Sequence, residues 1–369
     1  MRVLMVTPCY YPAKGGTEIM VRNFAISLNR KGIRTDIMTF NMTEKWNAKW
    51  QGSVEKIDGI TVYKIPGLNW LPIEHSFRNT QGINLIPGRF AHIISKYDIL
   101  HFHELELSFS TFSMLIKKPK ILHLHGLDFD TLARNIIGKW LFKKSANMYV
   151  AITRQMIRDL IRLGIASSKI KYVPNGVDTN LFRPDKNKQS NLVIFVGRVS
   201  YGKGVHILLE ALDYIETPIC LAVVGPIEHN SIKILEMIKD KNSKGGHKVM
   251  YVGPLDQPDI IKWYQRASIL VLPSFWEAFP IVILEALACE TAVIATSIGG
   301  IHDIIKNGET GILVKPGNPI QIANAIQYLL NNDDVRRKMA SKGREQVVNQ
   351  YSLEVATRKL CDVYGQLLS

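Results

Sequence analysis

Cysteine is scarce in this chain, and the cysteines that occur are far apart. Four are present among 369 residues, and none stands in CxxC spacing with another: Cys9, Cys220, Cys289 and Cys361. Such scatter argues against a disulfide framework and against a cysteine zinc site. We therefore expect a cytoplasmic protein.

Long apolar runs are also lacking. Apolar residues make up 46% of the chain, yet no run reaches about 18 residues, the length of a membrane-spanning helix. Residues Met1–Val6 are typical of a first core strand and lack the length and cleavage site of a signal peptide. We expect neither a membrane span nor a leader. No recognisable nucleic-acid-binding module occurs either, which argues against nucleic acid as a partner.

Acidic residues are scarce in the first half only. Residues 1–184 hold 26 lysines and arginines against 13 acidic residues, whereas residues 185–369 hold 20 against 19. Such asymmetry is typical of a face that meets phosphate, for example on anionic lipid or on a phosphorylated substrate. A generally basic proteome would produce the same excess.

Short apolar strands alternate with helices along both halves of the chain. This alternation predicts parallel sheets covered on both faces. The length exceeds the roughly 250 to 300 residues that one core usually holds. We predict an α/β protein of two Rossmann-like domains facing a central cleft. The first comprises residues 1–184 and a C-terminal helix, 353–369, that crosses back to it; the second comprises residues 191–350, after a polar linker at 182–191.

Two glutamates, Glu277 and Glu285, bracket an apolar stretch in the second half. Ser268–Pro273 is typical of a buried strand, and Pro280 suits the first position of a helix. Glu277 then lies in the turn and Glu285 within the helix. A strand, a tight turn and a helix start form an anion site, because free amides and the positive dipole end face the ligand. The plainer reading is that a helix often carries a glutamate near its start for dipole or capping reasons.

A basic loop with glycines, Val196–Gly204, follows the first strand of the second half. Arg198 and Lys203 are spaced to embrace a diphosphate, one as a fork and one as a point charge. The loop is neither a Walker A motif nor a GxGxxG motif, and an ordinary basic loop would look similar. In the first half, Gly15 and Gly16 permit close approach of the backbone to a ligand, or form a plain loop before a helix.

Several histidines lie at predicted strand ends. His123 and His125 fall on the same side of their strand because side chains alternate. A metal site that also uses His101, His103 and Glu104 is one interpretation. We expect no metal there, because neighbouring strand ends need not converge and no HExxH helix occurs. A hydrogen-bonded histidine at a strand end is the structural alternative.

Two segments of the basic half combine tryptophan with lysine, Lys45–Trp50 and Lys139–Lys144. Their composition is typical of interfacial segments, with aromatic rings for the headgroup level and lysines for anionic lipid. Peripheral contact with an anionic membrane is one interpretation. Ordinary packing is the simpler account of Trp140 and Phe142.

Together these residues resemble the retaining glycosyltransferases of family 4, which have the two-Rossmann architecture called GT-B. The resemblance covers essentially the whole chain. Its most specific part is the pattern of glutamate, seven residues and glutamate from Glu277 to Glu285. The supporting motifs, in chain order, are Gly15-Gly16, His125-Gly126, Val173–Asp178 with Phe182 and Pro184, Gly197-Arg198 with Lys203-Gly204, Gly299-Gly300 and Gly308–Val314.

The resemblance implies roles for individual residues. Glu285 would bind the ribose hydroxyls of a nucleotide-sugar donor, and Glu277 would contact hydroxyls of the donor sugar. Arg198 and Lys203 would neutralise the leaving diphosphate, and His125 would orient the sugar or the acceptor. The catalytic set would thus be His125, Glu277, Arg198 and Lys203. Further donor contacts are implied for Gly15, Gly16, Leu255 at the base, Phe279, Pro280, Ile281 and Val282.

The resemblance also implies the reaction. A hexose would move from a UDP- or GDP-sugar, such as UDP-glucose or GDP-mannose, to an acceptor hydroxyl with retention, without a cofactor or an essential metal. The excess of basic residues in 1–184, rather than the resemblance, favours a phosphorylated or lipid-linked acceptor, and a sugar is the other acceptor class. A sugar-nucleotide epimerase of similar paired domains is the alternative, and a binding protein with two sugar-gripping lobes is a third. The residues leave the donor base and the oligomeric state open.

Three departures from the family pattern bear on the donor pocket. Pro280 stands where the family usually has glycine after the aromatic residue. Glu290-Thr291-Ala292 replaces a glycine-x-proline turn, and Val224–Ile227 lacks a glycine-x-glycine pattern. The resemblance therefore does not set the shape of the pocket at these positions.

Overall fold

The computed structural model describes residues 1–12, 15–41, 52–65, 88–104, 116–126, 129–134, 136–243 and 245–369. These residues form two compact units. The first unit is Met1–Asn175 with Ala356–Ser369, and the second is Gly176–Val355. The segment Lys45–Trp50, predicted as interfacial, lies outside the described residues.

The first unit is built on an eight-stranded sheet. Its strands are β1 (Arg2–Thr7), β2 (Arg34–Phe40), β3 (Ser53–Ile57), β4 (Ile60–Ile65), β5 (Ile99–His103), β6 (Lys120–Leu124), β7 (Met148–Ala151) and β8 (Ile170–Tyr172), in the order β3-β4-β2-β1-β5-β6-β7-β8. The described pairs are parallel except β3 with β4, which is antiparallel. The sequence does not predict β3, because this edge strand is mostly exposed and carries no apolar pattern.

Among the described residues before the second unit, the helices are α1 (Gly16–Arg30), α2 (Gly88–Ser95), α3 (Phe129–Arg134), α4 (Ile136–Ser145) and α5 (Arg154–Arg162). Thr153 caps α5, because its hydroxyl oxygen accepts a hydrogen bond from the Met156 amide at 3.0 Å. Gly164 follows the helix with a φ of 83°, a left-handed conformation that favours glycine. Thr153 and Gly164 therefore mark the two ends of this helix.

The second unit has a six-stranded sheet whose described pairs are all parallel. Its strands are β9 (Gln189–Val196), β10 (Cys220–Val224), β11 (Lys248–Gly253), β12 (Ala267–Leu272), β13 (Ala292–Thr296) and β14 (Ile312–Val314), in the order β11-β10-β9-β12-β13-β14. Every residue of β12 and β13 is buried. Such continuous apolar strands form because helices cover both faces of a parallel sheet.

The helices after β9 are α6 (Val205–Ala211), α7 (Lys233–Ser243), α8 (Gln257–Arg266), α9 (Ile281–Ala288), α10 (Ile301–Ile304), α11 (Pro319–Asn331), α12 (Asp333–Gln350) and α13 (Leu353–Leu368). Asn318 caps α11, since its side chain accepts a hydrogen bond from the Gln321 amide at 2.9 Å. The sequence does not predict α11 or α12. The polar composition of α12 hides its narrow apolar stripe.

The last helix, α13, packs on the first unit. The Thr357 hydroxyl donates to the Ser27 hydroxyl at 2.9 Å, and the Tyr364 hydroxyl lies 2.7 Å from Nδ1 of His101. The predicted return of the C-terminal helix to the first domain is confirmed, as are two α/β units with separate sheets. Of the helices in the described residues, none is both long and apolar enough to cross a bilayer.

The division between the units falls between Asn175 and Gly176, before the polar segment 182–191 that the sequence marks as the linker. Lys188 in that segment is anchored on the second unit, because its Nζ donates to the Ala267 carbonyl at 2.9 Å and to the Thr291 hydroxyl at 3.0 Å. The segment therefore belongs to the second unit, and its end already forms part of β9.

Candidate functional site

The register of the second sheet brings Lys203 and Glu277 together. β9 and β12 are parallel neighbours, with Ile194 opposite Leu270, so the loops that follow them leave the same edge of the sheet. Lys203 Nζ donates to Oε1 of Glu277 at 2.7 Å. The predicted diphosphate cation and the predicted sugar glutamate thus form an ion pair in this structure.

Backbone contacts fix the turn that carries Glu277. The Phe275 amide donates to the Gly202 carbonyl at 3.0 Å, which joins this turn to the basic loop. A Cβ at Gly204 would lie 2.0 Å from the Pro273 carbonyl oxygen, and a Cβ at Gly299 would lie 2.1 Å from the Glu277 carbonyl oxygen. Glycine is therefore required at both positions for three strand-end loops to meet.

Ser274 adds a second contact to Glu277. Its hydroxyl donates to the same Oε1 at 2.7 Å, and its carbonyl accepts from the Thr296 hydroxyl at 2.6 Å. Sequence reasoning missed Ser274, although a hydroxyl three residues before a carboxylate in a turn is a local signal. The Glu277 carboxylate is therefore oriented by one cation and one hydroxyl.

Helix α9 begins beside this ion pair. Pro280 has a φ of −74° and a ψ of 109° and precedes the helix by one residue, whereas the sequence places it at the first helical position. The Ile281 and Val282 side chains at the helix start are partly exposed. No described side chain caps the helix, so its first amides and dipole favour an anion.

Phe279 differs from its neighbours in this turn. Its side chain is buried, and its ring centroid lies 5.9 Å from that of Tyr351. The ring therefore packs against the protein interior and supports the turn before α9. Any donor contact at Phe279 falls to its backbone.

Glu285 occupies a different environment one turn into α9. The Tyr264 hydroxyl donates to its Oε2 at 2.7 Å. Burial raises the pKa of Glu285 to about 7, against which the Tyr264 hydrogen bond acts, and burial also raises the pKa of Tyr264. Part of the Glu285 side chain still reaches solvent. Tyr264 was not foreseen, because nothing local in the sequence links it to a residue on another helix.

The other two residues of this unit that the sequence predicts to contact the sugar donor, Arg198 and Leu255, are more exposed to solvent. Arg198 is exposed, and its Nη1 lies 2.7 Å from Oε1 of Glu228. The sequence does not predict Glu228 as the partner of Arg198, because no local pattern links the two residues. Leu255 follows β11 and is partly exposed. Both predicted cations are thus paired with carboxylates in this structure.

The turn after α9 shows how the chain accommodates its lost glycine. Glu290 has a φ of 54°, a left-handed conformation unusual for a glutamate. The Thr291 hydroxyl donates to the Tyr264 carbonyl at 2.6 Å. The turn therefore forms without glycine, and Thr291 ties it to α8, the helix that carries Tyr264.

The remaining predicted residues lie at the carboxyl edge of the first sheet. Gly15 is extended, with a φ of −148°, and Gly16 begins α1. His125 follows β6, and its Nε2 lies 2.9 Å from Nδ1 of His103. Burial lowers the pKa of His125 to about 3, so its imidazole is uncharged near neutral pH. It suits hydrogen bonding to a hydroxyl better than proton donation.

The predicted pairing of His123 with His125 on one side of the strand is confirmed, since the two rings stack at 4.5 Å. His101 and His103 lie in the same cluster, with centroids 4.2 Å apart. The argument that these strand ends need not converge is therefore wrong, because β5 and β6 pair in register.

Comparison with known proteins identifies the family of the chain. The profile described as "Glycosyl transferases group 1" matches residues 177–346, and that described as "Glycosyltransferase Family 4" matches residues 14–181. Between them the two matches take in both units. The chain belongs to glycosyltransferase family 4, and its fold is GT-B.

Individual relatives span the chain to different extents. An uncharacterised glycosyltransferase of Methanocaldococcus jannaschii is 25% identical over 99% of this chain and 98% of its own. The D-inositol 3-phosphate glycosyltransferase of Xylanimonas cellulosilytica is 28% identical over 63% of this chain, which spans 60% of that relative. The structure of Anabaena HepE in complex with UDP-glucose superposes with a TM-score of 0.78 at 19% identity, over 99% of this chain and 100% of HepE.

Proposed function

We propose that the chain transfers a hexose from a UDP- or GDP-sugar to an acceptor hydroxyl with retention at the anomeric carbon. The observation that carries this proposal is the Lys203–Glu277 ion pair of 2.7 Å beside the uncapped start of α9. A cation, a carboxylate and free helix amides in one place suit a ligand that has both phosphates and hydroxyls.

The donor would lie along the carboxyl edge of the second sheet. Glu285 would accept hydrogen bonds from the ribose hydroxyls, and Leu255 would contact the base. The diphosphate would contact Lys203, Arg198 and the first amides of α9. Lys203 would then exchange part of its contact with Glu277 for phosphate, which frees a Glu277 oxygen for the sugar hydroxyls.

The proposed step involves one bond exchange. The bond between the anomeric carbon and the diphosphate oxygen breaks, and the acceptor oxygen forms a new bond to that carbon from the same face. The acceptor proton moves to the leaving phosphate oxygen. Lys203, Arg198 and the α9 amides stabilise the charge that develops on the diphosphate, which is usually the largest contribution to catalysis.

Known proteins support the donor class. HepE has been solved with UDP and with UDP-glucose, and the chain shares its fold. The D-inositol 3-phosphate glycosyltransferase supports a phosphorylated acceptor by its name. The 26 lysines and arginines of residues 1–184 favour the same acceptor class. We assign acceptor orientation to His125 and backbone contact to Gly15 and Gly16.

An exposed face of α4 supports a lipid-linked acceptor at an anionic membrane. Ile136, Ile137 and Trp140 are 84%, 72% and 54% exposed. Phe142 is buried, so ordinary packing explains Phe142 but not Trp140. Lys144 is four residues after Trp140 and lies on the same side of the helix. Apolar side chains bordered by lysine suit an anionic headgroup layer.

Nucleotide release tests the proposal. The protein is incubated with UDP-glucose, GDP-mannose and other hexose donors, with and without phosphorylated or lipid-linked acceptors. We expect release of UDP or GDP only when donor and acceptor are both present. An epimerase would release little nucleotide under any condition and would change the sugar stereochemistry, which would contradict the proposal.

A further inference from the structure

Four histidines lie together in the core of the first unit. His101 and His103 are two residues apart on β5, and His123 of β6 pairs in register with His103. His125 follows at the end of β6. The first three side chains are fully buried, and His125 is nearly so. Because side chains alternate along strands, the four imidazoles share one face of the sheet.

The imidazole rings pack against one another and under two helices. Ring centroids are 4.2 Å apart for His101 and His103, 5.1 Å for His103 and His123, and 5.3 Å for His101 and His123. Phe24 of α1 lies 5.9 Å from the His123 ring, and Tyr364 of α13 lies 5.7 Å from the His101 ring. The cluster is therefore enclosed between the sheet and these helices.

Several imidazole nitrogens inside the cluster have no hydrogen-bond partner among the described residues. Nδ1 of His101 lies 2.7 Å from the Tyr364 hydroxyl, and Nδ1 of His103 lies 2.9 Å from Nε2 of His125. Four ring nitrogens of this cluster have no hydrogen-bond partner among the described residues, namely Nε2 of His101, Nε2 of His103 and both nitrogens of His123. Buried polar atoms are rarely left unpaired, and four in one place indicate a ligand.

We propose that His101, His103 and His123 bind one zinc ion. One nitrogen from each residue lies within 4.8 Å of the others. Zinc bound at about 2.0 Å from each nitrogen would bring neighbouring nitrogens to about 3.3 Å in tetrahedral geometry. Binding therefore needs the rings to tilt inward. Three neutral imidazoles without carboxylate suit zinc and related transition metals, whereas calcium and magnesium prefer oxygen.

The outer hydrogen bonds match what metal-bound histidines require. A zinc ion on Nε2 of His101 leaves its Nδ1–H to donate to the Tyr364 hydroxyl. A zinc ion on Nε2 of His103 likewise leaves its Nδ1–H to donate to Nε2 of His125. Partners of this kind orient the ring and fix its tautomer. Burial lowers the pKa of all three zinc ligands, which keeps their lone pairs available.

The zinc ion would join three elements of the first unit. It links β5 to β6 directly and reaches α13 through Tyr364. It would also place the proton of His125 on Nδ1, because Nε2 accepts from His103. The ion would affect the proposed sugar transfer only through the tautomer of His125, so metal binding and nucleotide release test the two proposals separately.

The test uses the full chain without a histidine tag, stripped of metal by a chelator and titrated with Zn²⁺ or Co²⁺. We expect one ion per chain, and a Co²⁺ spectrum and X-ray absorption that show three imidazole ligands. His123→Phe keeps an aromatic ring without nitrogen and should abolish binding. Tyr364→Phe removes only the partner of His101 and should weaken the affinity about tenfold.

His302→Gln is the matched control, because His302 is exposed and lies in the second unit. Its zinc affinity should equal that of the unmodified protein. Binding of no ion would contradict the site and leave water as the occupant, and equal binding by His123→Phe would contradict it as well. If His123→Phe fails to fold, the absorption spectrum of the unmodified protein and the Tyr364→Phe affinity decide.

Discussion

At the scale of single residues, Glu277 and Glu285 serve different purposes although one motif contains both. Glu277 is held between Lys203 and Ser274, each at 2.7 Å from Oε1. Glu285 is held by Tyr264, and burial raises its pKa to about 7. The sequence indicates both glutamates by their spacing. It does not indicate that Tyr264 and Lys203 are partners of these glutamates, because both reach them through tertiary packing.

Glu285 should make the stability of the protein depend on pH. Its pKa of about 7 in the folded protein exceeds the usual 4.5, so the folded state keeps a proton that the unfolded state loses between these values. Its contribution to the free energy of unfolding is therefore lost as pH rises from 4.5 through 7. We expect Glu285→Gln to be more stable than the unmodified protein at pH 8, by about 3 kcal/mol.

Denaturant unfolding at several pH values measures this effect. The stability difference between Glu285→Gln and the unmodified protein should shrink towards zero near pH 4.5. Glu345→Gln, which changes an exposed glutamate of the same unit, should show no such trend. A constant difference across the pH range would contradict the raised pKa.

Lys203 should matter more for the rate of transfer than for donor affinity. Its ammonium would stabilise charge on the leaving diphosphate, and loss of one such contact typically lowers kcat about 100-fold. We expect Lys203→Met to show that loss in a steady-state assay. Lys241→Met removes another ion-paired lysine of this unit, bonded to Asp213 at 2.5 Å, and should leave kcat unchanged. Equal kcat values for the two variants would count against the role of Lys203.

At the scale of elements, the sequence predicts most strands well because they are short, apolar and buried. All strands of the second sheet lie where the apolar runs place them. Helix α4 is not predicted by the sequence, and the reason is physical. The face of α4 that carries Ile136 and Trp140 is exposed rather than buried, so its apolar residues do not follow the pattern of a core-packed helix.

The exposed face of α4 should bind anionic membranes. We expect the protein to sediment with vesicles of phosphatidylserine and phosphatidylcholine at low salt, and less so at high salt, because lysine charges are screened. Replacing both Ile137 and Trp140 by serine should reduce the bound fraction strongly.

Ile161→Ser provides the control for this experiment. Ile161 is 49% exposed on α5 of the same unit, and its replacement should leave vesicle binding unchanged. Binding of the unmodified protein that is equal on neutral and anionic vesicles would contradict the electrostatic part of the proposal. No binding to either would contradict the membrane role of α4.

At the scale of the whole molecule, the sequence predicts two α/β units because strand and helix patterns alternate twice. The sequence places a linker at 182–191 because this segment is polar, whereas the two compact units divide between Asn175 and Gly176. Lys188 is a polar residue of the kind found in linkers, but its Nζ donates hydrogen bonds to the Ala267 carbonyl and the Thr291 hydroxyl of the second unit. Such long-range anchoring leaves no local trace in a sequence.

The histidine cluster also depends on contacts between residues that are far apart in the sequence. His101, His103 and His123 stand on two strands, and only the register of β5 with β6 brings their rings to within 5.3 Å of one another. Spacing along the chain shows alternation within one strand. It does not show which residues face each other across two strands.

Calorimetric titration at pH 8 shows whether the second unit binds a nucleotide-sugar through Glu285. The unmodified protein, Glu285→Gln and Glu345→Gln are each titrated with the preferred UDP- or GDP-sugar. Hydrogen bonds to a charged group contribute about 1.5–3 kcal/mol, so we predict that Glu285→Gln raises Kd at least about tenfold. Glu345→Gln should match the unmodified protein. An unchanged Kd for a folded Glu285→Gln would show that Glu285 does not hold the nucleotide-sugar.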